Sequence, residues 1–132
     1  MTRKTHIAIG VMATLPIVYT TKNYYSLVGL LGATAPDMDI ILGIKHRTIT
    51  HSILMLCVTS LPIFIFNFNI GLIWFLNYFI HLVLDSFTKM GVPFLYPWST
   101  KYYGYKKIRT GKSEDLFICL ITIYIIGYLF IF

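Results

Sequence analysis

Charge is scarce in this chain. Only 12% of its 132 residues are charged, about half the share of an average soluble domain. Acids are scarcer still: Asp37, Asp39, Asp85, Glu114 and Asp115 are the whole set of five. The two cysteines, Cys57 and Cys119, both fall in apolar runs, where a free thiol behaves as a small hydrophobe, and they are too few for a disulfide framework. There is no internal repeat and no low-complexity tract. Nor does any run alternate apolar with polar residues as a half-buried strand would, and an open sheet cannot sit in lipid. A basic patch with a nucleic-acid reading motif is also missing, which argues against DNA or RNA as a partner.

What is present is hydrophobic: 57% of the chain, with a mean hydropathy of +0.73. That is the composition of a membrane protein. The length suits one domain, residues 1–132. Apolar runs at about 6–20, 25–43, 52–66, 70–88 and 115–132 predict five helices, an all-α polytopic membrane bundle. The second, fourth and fifth runs reach span length; the first and third are short, and Pro16 and Pro62 predict kinks in them. The opening "MTRKTHIAIGVMATLPIVYTT" has a charged start but no small-x-small cleavage site, and it is expected to be a retained first helix.

With five spans and the N-terminus inside, every Lys and Arg except Lys22 falls on the cytoplasmic side, so the net charge of +6 is juxtamembrane positive charge. The turn "NFN" at 67–69 and the C-terminus are then external. Residues 89 to 113 differ in kind. Gly91, Pro93, Pro97, Gly104 and Gly111 break helix there, while "PFLYPW" with Tyr102, Tyr103 and Tyr105 is interfacial in composition. This segment is expected on the cytoplasmic face, as an interfacial anchor or a lip over a site. "GKSED" predicts a helix start with Ser113 as N-cap and Glu114 and Asp115 opposing the dipole, which explains those acids without chemistry.

Polar residues gather elsewhere. His81 and Asp85 are spaced i, i+4 on one helix face, with Asn77 a turn earlier and Thr88 just beyond. Gly10 and Ala13 share a face with His6 and allow close approach to a neighbouring helix. In "APDMDIILGIKHRTITHS", Pro36 breaks the second run and places Asp37 and Asp39 at a bend, and His46 and His51 flank a helix start that Thr48 or Thr50 could cap. Singly, each has an ordinary explanation as a cap, a loop histidine or a packing pair. Jointly, His6, Asp37, Asp39, His46, His51, His81 and Asp85 all fall at one depth in the five-span arrangement. Mixed imidazole and carboxylate ligands suit zinc first, with manganese or iron next, as one or two ions. Asp39, Arg47 and Thr50 are the expected catalytic residues. Arg47 offers a planar fork to phosphate, and Thr50, with Ser52 and Thr88, would orient ligands.

On these residues the chain resembles a family of small bacterial membrane-bound metal-dependent hydrolases, one branch of which is described as LexA-binding and inner-membrane associated. The matching elements are His6, "PDMD" at 36–39, "HRTITHS" at 46–52, "HLVLDSFTKMGVPFLYPWS" at 81–99 and "GKSEDLF" at 111–117, in order over most of the chain. That family is in turn similar to the zinc-dependent phospholipase C and single-strand nuclease group, helical enzymes with HxxxD pairs on a zinc cluster. Only one HxxxD, His81 with Asp85, is present here.

The combined expectation is a hydrolase of the bacterial inner membrane that cleaves a phosphoester, of lipid or another carrier, at the cytoplasmic surface. The competing expectation is a non-catalytic scaffold or regulator, pinned by a structural metal, whose basic cytoplasmic loop recruits a partner. A metal transporter would need polar groups through the full membrane depth, and the external half offers little beyond Asn67 and Asn69.

Overall fold

The first apolar run folds as helix α1 (Arg3–Thr21) in the computed structural model, and it continues through Pro16. Residues 1–41, 43 and 45–131 are described, with side chains through residue 129. Helix α1 stops at Lys22, which takes a left-handed backbone with φ 53°.

The second run departs from the expected long helix. It forms a 3₁₀ segment at Tyr24–Ala33, a 3₁₀ turn at Ala35–Asp37, and the short helix α2 (Met38–Ile41). Positions 42 and 44, where the expected helix end falls, lie outside the described residues, as does Phe132. Glycine explains how the 3₁₀ segment is held: a Cβ on Gly29 would stand 2.6 Å from the Ile70 carbonyl oxygen, and one on Gly32 would stand 2.5 Å from that of Trp74. The segment therefore lies directly on the backbone of a neighbouring helix, and Pro36 then turns the chain away.

That neighbour is α4 (Phe68–Ser86), reached through α3 (Ile53–Phe66). Ser52 caps α3, its Oγ accepting from the Met55 amide at 3.2 Å, where Thr48 or Thr50 was expected. Thr50 is unavailable because its hydroxyl points into the polar cluster described below. The turn expected at 67–69 contracts to Asn67, which ends α3 and caps α4 by accepting from the Ile70 amide at 3.1 Å. Helix α5 (Ser113–Ile131) completes the fold.

Among the described residues the chain is all-helical apart from two isolated bridges, Thr88 with Ile108 and Val92 with Tyr103. One described helix, α4, is long and apolar enough to cross a membrane. It is also the central element, packing against the 3₁₀ segment, α3 and α1, while α5 leans on α1. Its inner face carries Ile73, Asn77, Tyr78, His81, Leu82 and Asp85, all buried, and Leu56, Tyr78, Leu82 and Val92 form an apolar cluster beside the polar residues. Outward faces of α3 and α5 show large apolar side chains such as Ile65, Phe66, Leu116 and Phe117.

Two polar clamps set the position of α1. Asn77 donates from Nδ2 to Thr14 Oγ1 and to the Ile73 carbonyl, both at 2.8 Å. Gly10 lies so close to α4 that a Cβ there would collide with Asn77 Oδ1. At the other end Asp115, fully buried, accepts from Thr5 Oγ1 at 2.6 Å, the Thr2 amide at 2.9 Å and the Gly111 amide at 2.8 Å. Asp115 thus ties the starts of α1 and α5 together, a role beyond the dipole partner its position suggested.

Candidate metal centre

Five separate pieces of chain deliver polar groups to one buried place. Helix α1 brings His6, the Ala35–Asp37 turn brings Asp37, α2 brings Asp39, the segment before α3 brings Arg47, Thr50 and His51, and α4 brings His81 and Asp85. All are buried, and His6, Asp39, His51, His81 and Asp85 are at most 1% exposed. Water is thereby kept from three carboxylates, a costly arrangement unless they are paired or coordinate a cation.

Four ligand atoms form the tightest group. His51 Nε2 lies 3.3 Å from His81 Nε2, 3.7 Å from Asp37 Oδ1 and 3.5 Å from Asp85 Oδ2. His81 Nε2 lies 3.6 Å from Asp37 Oδ1 and 3.7 Å from Asp85 Oδ2. The edge of a regular tetrahedron is about 1.63 times its centre-to-vertex distance, so zinc bonds of about 2.0 to 2.2 Å require edges of about 3.3 to 3.6 Å. Five measured edges meet that requirement to within about 0.1 Å.

The proton positions on the imidazoles sharpen this. His81 Nδ1 is 2.7 Å from the Ala33 carbonyl oxygen, which can only accept, so Nδ1 carries the proton. Thr50 donates its hydroxyl to Asp39 Oδ2 at 2.8 Å and therefore accepts from His51 Nδ1 at 3.1 Å. Each ring therefore presents Nε2 to the other and to two carboxylate oxygens, and wherever Nε2 carries no proton its lone pair points into that group. Four acceptor atoms converge, and the one charged donor on them is Arg47, which pairs with Asp85 Oδ2 at 2.9 Å from outside the group, so a cation at the centre would stabilise the remainder. An oxygen fixing the far nitrogen of each ring is also the usual outer support of metal-binding histidines.

The remaining predicted ligands flank this quartet. His6 stacks on His81 with ring centroids 3.7 Å apart, and its Nε2 is 3.2 Å from Asp85 Oδ1, the carboxylate oxygen outside the quartet. The Met1 amine also contacts Asp85 Oδ1, and His6 Nδ1 is buried without a hydrogen-bond partner. His46, the most exposed of the histidines, holds Asp39 through Nδ1 at 3.0 and 3.1 Å. Measured more loosely, His6, His81 and Asp85 form one set, and Asp37, His46 and His51 another, with ligand atoms within 4.8 Å of one another in each. The quartet takes two members from each set. We favour it because its edges match bond lengths rather than a loose cutoff.

Asp39 stands one layer back. Its oxygens receive His46, the Thr50 hydroxyl, the Arg47 amide at 3.1 Å and the far side of His51 at 3.5 Å. Burial would raise this carboxyl, and the bonds from His46 and Thr50, the His46 charge and the Arg47 amide outweigh burial and hold it below the ordinary carboxylate value. Asp37, besides the two imidazoles at Oδ1, has the half-exposed Arg3 3.9 Å from Oδ2.

Arg47 joins the cluster to the loop after α4. Its backbone is left-handed, φ 58°, and is held from both sides: the amide donates to Asp39, and the carbonyl accepts from the Tyr102 hydroxyl at 3.0 Å. One terminal nitrogen bonds Thr88 Oγ1 at 2.7 Å and the Gly91 carbonyl at 3.3 Å, and the other pairs with Asp85 Oδ2 at 2.9 Å. Only Nε is left, buried and unpartnered. The expected free phosphate fork is thus largely engaged within the protein. Thr88 in turn donates to the Asp85 carbonyl at 2.7 Å, and Ser52 serves as the α3 cap rather than as a ligand support.

Sequence reasoning missed Tyr78, and it took Tyr102 as an interfacial aromatic without its bond to Arg47. Tyr78 donates to the Thr50 carbonyl at 2.5 Å from the inner face of α4 and so fixes the strand of chain carrying His51. Its place four residues before Leu82 on a buried stripe was the only available signal.

The model of the YdjM inner membrane protein family matches residues 1–131, and the chain belongs to that family. No curated protein and no solved structure matches it, so the expected likeness to zinc-dependent phospholipases C and single-strand nucleases has no match behind it.

Proposed function

Proceeding from membership of an inner-membrane family, we propose that the protein is a metal-dependent hydrolase of phosphoesters, with lipids as the first class to test. Asp37, His51, His81 and Asp85 hold one divalent ion, zinc in preference to manganese or iron. The observation that carries the metal is the quartet of ligand atoms with edges of 3.3 to 3.7 Å.

A metal held by these four residues would supply Lewis-acid chemistry to the site, water or substrate entering as a fifth ligand. The chain's own residues do the rest. Asp85 uses Oδ2 in the quartet and accepts on Oδ1 from His6 Nε2, which leaves the unpartnered Nδ1 as the His6 nitrogen that would accept or return a proton. Asp39 and Thr50 keep His51 Nδ1 protonated and its Nε2 free. Arg47 holds Asp85 against the loop and offers its remaining Nε to an anion. The proposed orientation has the N-terminus and the site on the cytoplasmic side, as the distribution of Lys and Arg favours.

A second reading is favoured by one specific observation: the chain offers four ligand atoms to one place, the number that fills a structural rather than a catalytic zinc site. On that reading the metal pins the helix ends of a non-catalytic scaffold or regulator. One experiment separates the two. The protein is purified in detergent without chelator, its metal is measured, and phosphodiester and phospholipid turnover is assayed for wild type, His51→Ala and Asp85→Asn. Metal with turnover that both variants lose supports the hydrolase. Metal without turnover supports the scaffold, and absence of metal after reloading overturns both.

A further inference from the structure

The loop between α4 and α5 carries Lys89, Lys101, Lys106, Lys107, Arg109 and Lys112 and no acid at any position from 87 to 112. All six basic side chains are exposed, and none is in an ion pair among the described residues. The imbalance extends to the whole surface: of the five acids, Asp37, Asp39, Asp85 and Asp115 are buried, which leaves Glu114 alone outside. Lone basic residues are normal surface groups. A stretch of this length with six cations and no counter-charge has a strongly positive potential that an anionic partner would neutralise.

The same loop exposes apolar groups that a soluble surface would hide. Trp98 is 77% exposed, Tyr105 72%, Met90 57% and Leu95 49%. They are interleaved with the cations: Phe87 stacks on Tyr105, with ring centroids 5.8 Å apart, and the Lys107 ammonium stands 6.0 Å from the centre of the Tyr105 ring. These groups are presented on fixed backbone. Val92 and Tyr103 exchange both amide bonds at 2.9 Å, and the Lys107 and Ile108 amides both bond the Phe87 carbonyl, at 3.0 and 2.9 Å. The loop is therefore a built platform at the end of α4.

We propose that this platform is a docking surface for anionic phospholipid headgroups, with Trp98, Met90 and Leu95 entering the interface and the six cations meeting lipid phosphates. Charge alone would equally suit an acidic protein or a nucleic acid. Exposed tryptophan and aliphatic side chains set among the cations favour lipid, because an amphipathic ring rests at headgroup depth and each nearby Lys or Arg is drawn to an anionic leaflet. The platform also adjoins the polar cluster, since Arg47 bonds Thr88 and Gly91 at its root and Tyr102 bonds Arg47. The inference does not require the metal.

The test uses the full chain with Trp74→Phe, so that Trp98 is the one remaining tryptophan. It is placed in nanodiscs of brominated phosphatidylcholine alone, or of the same lipid mixed with brominated phosphatidylglycerol. The expected result is severalfold stronger quenching of Trp98 in the anionic discs, reduced by high salt and abolished by combined Lys106→Glu, Lys107→Glu and Arg109→Glu. Equal quenching in both lipids overturns the proposal, as does binding of a polyaspartate or single-stranded DNA probe with no lipid preference. A second measurement leaves the tryptophans untouched: native mass spectrometry of the wild-type chain from mixed discs should show retained phosphatidylglycerol in excess of phosphatidylcholine. Retention in the proportion supplied would contradict the proposal.

Discussion

His51 Nε2 and His81 Nε2 stand 3.3 Å apart, each on a ring whose other nitrogen is turned to an oxygen. With neutral rings, two lone pairs at that distance repel each other, and Asp37 and Asp85 add two more acceptors. Arg47 pairs with Asp85 Oδ2 from one side, and a cation at the centre of the four atoms would offset the repulsion that is left.

Arg47→Lys should weaken the structure although the charge is kept. A lysine ammonium cannot reach Asp85, Thr88 and Gly91 together as the guanidinium fork does. The expected loss is about 1 to 3 kcal/mol of stability. Thermal unfolding in detergent measures the loss, and hydrogen exchange should show faster opening in residues 87–92.

Gly10→Val should separate α1 from α4. The new side chain would collide with Asn77 and stand 3.1 Å from Ala33 Cβ at its first atom. Overpacking of this kind costs about 1 to 3 kcal/mol. Because α1 also delivers His6, the variant should unfold at lower temperature and lose the ring stack of His6 on His81, readable in the imidazole NMR resonances.

Asp39→Asn carries a sign in pH. The folded carboxyl titrates below its ordinary value of 3.8, so its contribution to stability is fully present above that value and is lost as pH falls through the lower folded one. In metal-free protein, wild type should therefore exceed Asp39→Asn in melting temperature at neutral pH, and the gap should close in acid. A gap that widens in acid would contradict the assigned hydrogen bonds.

Orientation follows from the proposed placement of the basic loops on the cytoplasmic side, with α4 crossing the membrane. A cysteine introduced at Lys101 should react with an impermeant maleimide only after the cytoplasmic side is opened, and one at Asn69 should react from outside. The reverse pattern would overturn the orientation.

The candidate site was more legible than the path of the chain. His81 and Asp85 announced themselves by a four-residue spacing, and Pro36 correctly marked the bend carrying Asp37 and Asp39. The sequence could not tell which of the seven candidates converge most closely, because that depends on which nitrogen each ring turns inward. Asp39 and His46 sit beside the quartet because Thr50 and the Arg47 amide meet Asp39 first. The second apolar run was misjudged for a different reason. Its hydropathy suits a long helix, but Gly29 and Gly32 are there to meet the α4 backbone, and a contact between distant segments leaves no periodic trace. The Asp115 clamp on Thr2 and Thr5 was hidden in the same way, behind a sufficient local explanation for an acid in a first helical turn.

The most direct test of the central claim is X-ray absorption spectroscopy on protein purified without chelator and reloaded with zinc. One zinc per chain is expected, with about four nitrogen and oxygen neighbours at about 2.0 to 2.1 Å, an imidazole signature and no sulfur. His51→Ala and His81→Ala should each abolish stoichiometric binding, while His46→Ala should keep it. No bound metal, or binding that survives loss of both His51 and His81, would contradict the account.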